Sequence, residues 1–188
     1  NTHPAQRPSP TRSPIPVPFP LPGPSPAIAE VTAGASATLW RSAMCGRYYR
    51  RSDKQRIAEA FRIGIPPTFD ILPSYNVAPQ TFQPIVRLDA ESRQRELALL
   101  RWGLIPFWAK DAKIGYSTIN AKAETLATAP AFRAALKRRR CLVPADGFYE
   151  WQPLDTKTKQ PWAITLKDGS PFAFAGLWDT WKDKTTGQ

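Results

Sequence analysis

The residue of this sequence with the most unusual chemistry is Cys45, which directly follows Met44, the only methionine in the chain. If translation starts at Met44 and the methionine is then removed, Cys45 carries a free α-amine beside its thiol. The amine titrates near neutral pH, and a cation such as Arg47 favours the thiolate. An aldehyde can then form a Schiff base with the amine, and the sulfur can close a five-membered thiazolidine ring, which an internal cysteine cannot do. The alternative for Cys45 is a buried structural cysteine.

Asn120 and Glu150 are further candidates for chemistry. Asn120, in the run Thr-Ile-Asn-Ala-Lys, is either a helix cap or an amide that orients a substrate hydroxyl or phosphate. Glu150 is flanked by aromatic residues, and the resulting loss of solvation raises a carboxyl pKa and suits acid or base catalysis. The alternative for Glu150 is a solvent-facing strand position. Cys141 lies in an apolar run, and we expect it to be structural.

An aromatic pair and a basic run indicate a polyanionic ligand. Phe107 and Trp108 follow a proline, which is typical of a loop that displays a stacking surface for single-stranded nucleic acid. The four consecutive cations at 137–140 could bind phosphate, or they could simply complement the negative end of a helix.

The composition limits the function classes. The chain has 188 residues, 42% of them hydrophobic, and a formal net charge of +11, which favours a nucleic-acid partner. No apolar run reaches the roughly 18 residues that a membrane-spanning helix needs, so no membrane association is expected. Two cysteines exclude a disulfide-rich scaffold, and the single histidine, His3, excludes a histidine-rich metal site. We expect no cofactor, no metal and a monomeric, cytoplasmic protein.

The chain divides at Met44 into two parts. Ten of the 21 prolines lie within residues 1–26, which predicts a disordered or polyproline II tail. Residues 1–43 are therefore interpreted as a proline-rich disordered extension that lies upstream of the true start; a transit peptide or another segment removed later is the alternative. Residues 44–188 are interpreted as the folded domain. Only three of the 26 basic residues precede Cys45, so the positive charge belongs to this domain.

The hydrophobic patterning of the domain predicts many short strands and few helices. The predicted elements are a helix over 53–62 with Asp53 as its cap, strands over 83–88 and 95–101, a helical stretch over 121–138 interrupted at Pro130, a strand–turn–strand over 140–151, and a hairpin formed by 161–167 and 171–178. The fold class that follows is α+β and strand-rich, with barrel-like antiparallel sheets and flanking short helices.

Five segments, in this order, resemble the SRAP (SOS response-associated peptidase) family of abasic-site processing proteins. The segments are Met-Cys-Gly-Arg-Tyr at 44–48, Tyr-Asn-Val-Ala-Pro at 75–79, Arg-Trp-Gly-Leu-Ile-Pro at 101–106, Ile-Asn-Ala-Lys-Ala-Glu-Thr at 119–125, and Cys-Leu-Val-Pro-Ala-Asp-Gly-Phe-Tyr-Glu-Trp at 141–151. The resemblance extends from Met44 to the end of the chain.

The resemblance implies a reaction with damaged DNA. In this family a mature N-terminal cysteine condenses with the ring-opened sugar of an abasic site in single-stranded DNA. The resulting thiazolidine DNA–protein crosslink protects the lesion. By analogy Cys45 is the nucleophile, Asn120 positions the amine and the sugar, and Glu150 is the acid/base group. The word peptidase refers to a proposed self-removal of the residues that precede the cysteine.

The resemblance also implies the DNA contacts and a location with the nucleoid. Arg47, Asn76 and Lys122 would contact phosphates, although arginine is common at the position of Lys122 and binds phosphate in a bidentate manner. Phe107 and Trp108 would stack on, or wedge against, the bases beside the lesion.

Two departures bear on these expectations. The family uses a catalytic histidine in a His-Asp-Arg-Met-Pro-like stretch, and this sequence holds no such motif. We therefore expect the SRAP-like domain of residues 44–188 to be incomplete at its C-terminus, which leaves open that this chain by itself is inactive. The alternative function is a non-catalytic module that binds single-stranded nucleic acid. An autoprocessing peptidase that cleaves before Cys45 is compatible with the crosslinking function.

Overall fold

A computed structural model describes residues 27–31, 46–65 and 67–183, with residues 27–31 described at the level of the backbone. The helices are α1 (Lys54–Phe61) and α2 (Arg133–Arg138), and short 3-10 helices occupy Ala112–Tyr116 and Ala123–Thr125. The strands are β1 (Ala27–Val31), β2 (Tyr48–Arg50), β3 (Ser74–Val77), β4 (Phe82–Leu88), β5 (Arg95–Arg101), β6 (Arg140–Ala145), β7 (Gly147–Pro153), β8 (Lys159–Leu166) and β9 (Phe172–Leu177).

The described strands form two sheets that do not close into one barrel. One sheet has the order β1-β8-β7-β2-β3, and the other has the order β5-β4-β6-β9. All pairings between strands are antiparallel except that of β1 with β8. The predicted fold class, α+β and strand-rich with antiparallel sheets and few short helices, is confirmed.

Strand β1 lies within the segment that the sequence analysis interpreted as a disordered extension. It pairs in parallel with β8, from Ala27 opposite Trp162 to Val31 opposite Leu166. The other residues of that extension, including the proline-rich part over 1–26, lie outside the described residues.

Helix α1 begins and ends as its sequence predicts. The carboxylate of Asp53 accepts a hydrogen bond from the backbone N–H of Arg56 at 2.9 Å, which caps the first turn. The helix stops at Arg62, which has a left-handed φ of 52°. Its buried side chain, Ile57, packs in a core cluster that includes residues of β4 and β5.

The prediction of a helical stretch over 121–138 is largely wrong. Only Ala123–Thr125 and Arg133–Arg138 are helical, as a 3-10 turn and as α2. The hydroxyls of Thr125 and Thr128 donate to the backbone oxygens of the residues three positions earlier, at 3.4 and 3.1 Å. Such local bonds compete with a regular helix, and Pro130 adds a second break.

The predicted hairpin over 161–178 is also wrong, although both of its strands exist. β8 pairs with β7 in the five-stranded sheet, whereas β9 pairs with β6 in the four-stranded sheet. The connection around Gly169 therefore crosses between the sheets. This crossing brings Phe172 and Phe174 of β9 against Phe148 of β7, with ring centroids 6.3 and 5.8 Å apart. β8 and β9 therefore make their backbone hydrogen bonds with β7 and β6, and aromatic side chains pack between the two sheets.

Candidate functional site

In the pairing of β2 with β7, Tyr48 lies opposite Phe148, and the backbone N–H of Tyr149 donates to the backbone oxygen of Arg47 at 3.0 Å. Continued by one residue beyond Arg47, this antiparallel register would set Gly46 opposite Glu150. Cys45 itself lies outside the described residues, and the described chain resumes at the next position, Gly46.

A buried carboxylate fixes β2 beside β7. Asp146, which is 2% exposed, accepts hydrogen bonds from the backbone N–H of Arg51 at 2.7 Å and from the backbone N–H and hydroxyl of Ser52 at 2.8 Å each. The N–H of Asp146 in turn donates to the backbone oxygen of Tyr49 at 3.0 Å. These bonds satisfy a buried charge and hold the start of the domain in one position.

Glu150 is a buried carboxyl with a perturbed pKa. It is 7% exposed and lies opposite Trp162 of β8. Burial raises the pKa of Glu150, and the backbone N–H of Trp151 opposes this shift only in part. The direction is the one that the aromatic neighbours predict. A carboxyl with this property keeps its proton to a higher pH than an exposed glutamate and can act as an acid.

Asn120 lies at the wall of a large cavity. The cavity has a volume of about 730 Å³ and is lined by residues of both sheets, including Tyr48 of β2, and by Trp102, which follows β5. The indole N–H of Trp102 donates to the backbone oxygen of Ile119 at 2.7 Å, and its ring lies 5.6 Å from that of Tyr48. Through Trp102, the segment that contains Asn120 contacts Tyr48 of β2. Glu150 does not line this cavity.

Two of the side chains predicted to contact DNA, Asn76 and Lys122, are exposed; Asn76 lies beside β2 and Lys122 lies close to Asn120. Asn76 lies on β3, which pairs with β2, and its side chain is exposed. Lys122 is exposed two positions after Asn120 and precedes the 3-10 turn at Ala123–Thr125. The third predicted phosphate contact, Arg47, is half-buried.

Phe107 and Trp108 belong to a different part of the molecule. They are 55% and 45% exposed, as a stacking surface requires. Their loop is held by the segment that follows β9: the N–H of Phe107 donates to the carboxylate of Asp179 at 3.2 Å, and the indole N–H of Trp181 donates to the backbone oxygen of Ala109 at 2.8 Å. The structure thus groups this loop with β9 and not with β2 and β7.

The sequence analysis missed a group of tyrosines beside β2. Tyr49, Tyr75 and Tyr149 come from three adjacent strands; the rings of Tyr49 and Tyr149 are 5.5 Å apart, and the hydroxyl of Tyr149 donates to the backbone oxygen of Tyr75 at 2.9 Å. The adjacent pair Tyr48–Tyr49 is a sequence signal for this group, because neighbouring residues of a strand point to opposite faces and one of the two rings must lie on the outer face.

Metal-binding and reactive groups are few among the described residues. No group of three or more His, Cys, Asp and Glu side chains there is arranged to hold a metal ion. Burial raises the pKa of the Cys141 thiol to about 11, so this cysteine is unreactive, as a structural role requires. No helix in the described part of the chain is long and apolar enough to span a membrane.

Comparison with known families decides the classification. Residues 44–188 match the family model described as SOS response associated peptidase (SRAP). The chain belongs to the SRAP family. The SRAP match begins at Met44, so it includes every described element from β2 to β9 and leaves β1 outside.

Several SRAP relatives carry informative names. The chain is 51% identical over 139 residues to the abasic site processing protein YoqW of Bacillus subtilis strain 168, an alignment that covers 73% of this chain and 61% of YoqW. It is 39% identical over 133 residues to the abasic site processing protein HMCES of Pongo abelii, covering 58% of this chain and 38% of HMCES. The chain therefore spans about three fifths of the length of YoqW.

Solved structures share the fold. A crystal structure of a protein from Bacteroides thetaiotaomicron superposes with a TM-score of 0.63 at 28% identity, covering 77% of this chain and 64% of that protein. A second, from Bordetella bronchiseptica, gives the same TM-score and identity and covers 67% of that protein.

Proposed function

We propose that this protein processes abasic sites in single-stranded DNA by forming a thiazolidine crosslink through Cys45. The proposal rests on the register of β2 with β7, which, if continued by one residue beyond Arg47, sets Gly46, the neighbour of Cys45, opposite the buried carboxyl of Glu150. The names of the SRAP relatives support the class of substrate.

The chemistry requires that Cys45 be the first residue. Its free amine attacks the aldehyde carbon of the ring-opened sugar, and loss of one water leaves an imine. The thiolate then adds to the imine carbon and the nitrogen takes up a proton, which closes the ring. The net reaction joins aldehyde and aminothiol with release of one water, so it needs neither an oxidant nor a reductant.

Glu150 is the group that we assign to proton transfer. Consecutive Cα atoms are about 3.8 Å apart, so Cys45 is attached directly to a residue that the strand register brings towards Glu150. The raised pKa of this carboxyl allows it to donate a proton to the departing water and then to act as a base. Asn120, at the cavity wall, is assigned to positioning the amine and the sugar.

The remaining contacts follow from exposure and charge. Arg47, Asn76 and Lys122 are assigned to phosphates, and Phe107 with Trp108 to bases beside the lesion. A protein with this function acts where cellular DNA is, in association with the nucleoid, and one copy suffices for the chemistry.

The test compares four chains on one abasic oligonucleotide. A chain that starts at Cys45 should give a covalent adduct on a denaturing gel, and a chain that keeps Met44 should not. Cys45→Ala and Cys45→Ser both retain the α-amine but lack the thiol, so each should give an adduct only after reduction of the imine with borohydride. Without the reductant, adduct equal to that of the wild type from either variant, or from the chain that keeps Met44, would contradict the proposal.

A second candidate, a non-catalytic module for single-stranded nucleic acid, is favoured by the exposed aromatic pair Phe107–Trp108 and by the charge of +11. It predicts equal affinity for abasic and undamaged strands and no adduct under any condition.

Autoproteolysis before Cys45 is compatible with the crosslinking function and would create the free amine. In this step the Cys45 thiol attacks the carbonyl carbon of Met44, the Met44–Cys45 C–N bond breaks, and the released amine takes up a proton with Glu150 as the acid. Water then hydrolyses the resulting thioester and releases residues 1–44. Intact-mass measurement of the purified chain over time should show loss of residues 1–44 in the wild type and their retention in Cys45→Ala. Retention of those residues by the wild-type protein would refute the step.

A further inference from the structure

The outward face of the five-stranded sheet contains a bulge that turns two side chains to solvent. Tyr48 pairs with Val77 and Arg50 with Ser74, so two residues of β3, Tyr75 and Asn76, lie opposite the single residue Tyr49. Bulges of this kind redirect side chains. Tyr75 is 52% exposed and Asn76 is exposed, whereas Tyr48 and Arg50 are buried on the other face.

The tyrosine rings on this face are held in place. A Cβ built on Gly147 would collide with the ring of Tyr49, so the absent side chain lets this ring lie directly against the β7 backbone. The Tyr149 ring is 5.5 Å from it and is anchored by its hydrogen bond to Tyr75. Burial and the two neighbouring phenols raise the pKa of Tyr149, as expected for three rings in one group.

A cation lies on this face. The guanidinium of Arg51, an exposed residue, lies over the Tyr49 ring at 5.9 Å from its centroid. Strands β2, β3 and β7 together contain one carboxylate, Glu150, which follows Tyr149 and therefore points to the opposite face.

We propose that Tyr49, Tyr75 and Tyr149, together with Arg51, form a stacking subsite for unpaired bases of a single nucleic-acid strand. Rings in fixed positions beside a cation match the chemistry of bases joined by phosphates, because every base offers a π-face and every phosphate a negative charge. An acidic protein surface would use the cation but not the three rings. The subsite deepens the proposed function, since it lies on the reverse side of the strand that carries Glu150 and would hold nucleotides that flank the lesion.

Binding of an undamaged strand tests this subsite without the covalent step. The probe is a fluorescein-labelled oligothymidylate of 12 nucleotides, titrated with the full chain and followed by anisotropy. Tyr75→Ala, at an exposed position that the core does not need, should weaken binding about tenfold, as should Tyr149→Leu. Arg51→Gln should lower the slope of log Kd against log salt by about 0.7, the contribution of one phosphate contact on a single strand.

Arg133→Gln is the matched control, because it removes the same charge from an exposed position on α2. It should change the affinity less than twofold. Unchanged affinity in Tyr75→Ala and Tyr149→Leu, both with wild-type circular dichroism, would overturn the subsite. An equal loss of affinity in Arg51→Gln and Arg133→Gln would do so as well.

Photocrosslinking locates the bound bases. Oligonucleotides with 5-iodouracil should crosslink to peptides that contain Tyr49, Tyr75 or Tyr149, and crosslinks confined to Phe107 and Trp108 would overturn the subsite. If adducts at Cys45 never form but these tyrosines still crosslink, only the proposed covalent function fails. If Tyr75→Ala forms adducts normally and binds undamaged strands with wild-type affinity, only the subsite fails.

Discussion

At the scale of single residues, the burial of Glu150 is the feature most relevant to chemistry. A carboxyl that is 7% exposed on the middle strand of the five-stranded sheet has lost most of its water. Its raised pKa is therefore a cost to folding as well as an aid to proton transfer, because the charged form is less stable in the folded protein than in the unfolded chain.

The stability of Glu150→Gln relative to that of the wild type should therefore increase as the pH rises. The folded protein holds the Glu150 proton more tightly than the unfolded chain does, so wild-type stability falls between the ordinary pKa and the raised one. The replacement glutamine has no proton to lose. Urea unfolding at pH 4 and pH 7 gives the free energy of unfolding of Glu150→Gln relative to that of the wild type, and this difference should be more positive at pH 7 than at pH 4. A difference that does not depend on pH, or that is more negative at pH 7, would contradict this account of the burial.

Asp146 is the residue that determines where β2 lies. Its carboxylate accepts three hydrogen bonds from Arg51 and Ser52, and it is buried. Asp146→Ala leaves these donors unsatisfied, so the free energy of unfolding should fall by on the order of 3 kcal/mol. Asp155→Ala removes an aspartate that also accepts two backbone N–H groups but is exposed, and its effect in the same urea titration should be much smaller. Equal effects of the two substitutions would show that Asp146 does not have this structural role.

At the scale of elements, the antiparallel pairing of β2 with β7 determines the arrangement of the candidate site. Two segments about a hundred positions apart in sequence, at 47–49 and 147–149, become neighbours through this register. Neither strand could hold the site alone, since β2 has only three residues and depends on β3, β7 and the Asp146 contacts for its position.

The close approach of Tyr49 to Gly147 is part of this pairing and can be tested. Gly147→Ala places a methyl group against the Tyr49 ring and should lower stability. In the background of Tyr49→Ala the same substitution should be nearly neutral, because the ring is gone. A double-mutant cycle followed by urea unfolding measures this coupling, and additive effects of the two substitutions would mean that the ring and the glycine do not interact.

The sequence predicted elements whose formation depends on local signals. The Asp53 cap and the apolar spacing of α1 were sufficient for that helix, and the alternation on either side of the turn at 89–94 was sufficient for β4 and β5. The segment at 161–178 misled because a Gly-containing turn between two strands favours a hairpin, whereas tertiary packing assigned the strands to different sheets. The helical stretch at 121–138 failed because threonine hydroxyls compete for its backbone.

The sequence could propose candidate site residues but not their arrangement. The aromatic neighbours of Glu150 in sequence indicated the direction of its pKa shift, and the motif at 44–48 drew attention to Cys45. The register of β2 with β7, the bulge at Tyr75–Asn76 and the tyrosine group depend on pairings between distant strands, which no local pattern encodes. Which of the predicted DNA-contact residues lie together likewise depends on the fold, since Phe107 and Trp108 are attached to the segment after β9.

At the scale of the whole molecule, the fold separates the candidate carboxyl from two aromatic surfaces. Glu150 is buried on β7, the tyrosines lie on the outward face of the five-stranded sheet, and the Phe107–Trp108 loop is held by the segment after β9. The net charge of +11 favours a polyanionic ligand but does not select one surface over the other, whereas the geometry of the rings can.

The measurement that tests the central claim most directly is the state of Cys45 inside the DNA adduct. The adduct formed by a chain that starts at Cys45 is digested with nuclease and protease, treated with iodoacetamide, and analysed by mass spectrometry. The account predicts that the N-terminal peptide carries the sugar fragment with loss of one water, and that neither its amine nor its thiol can be modified further. An adduct in which the Cys45 thiol still reacts with iodoacetamide, or in which the sugar is attached to a lysine, would contradict it.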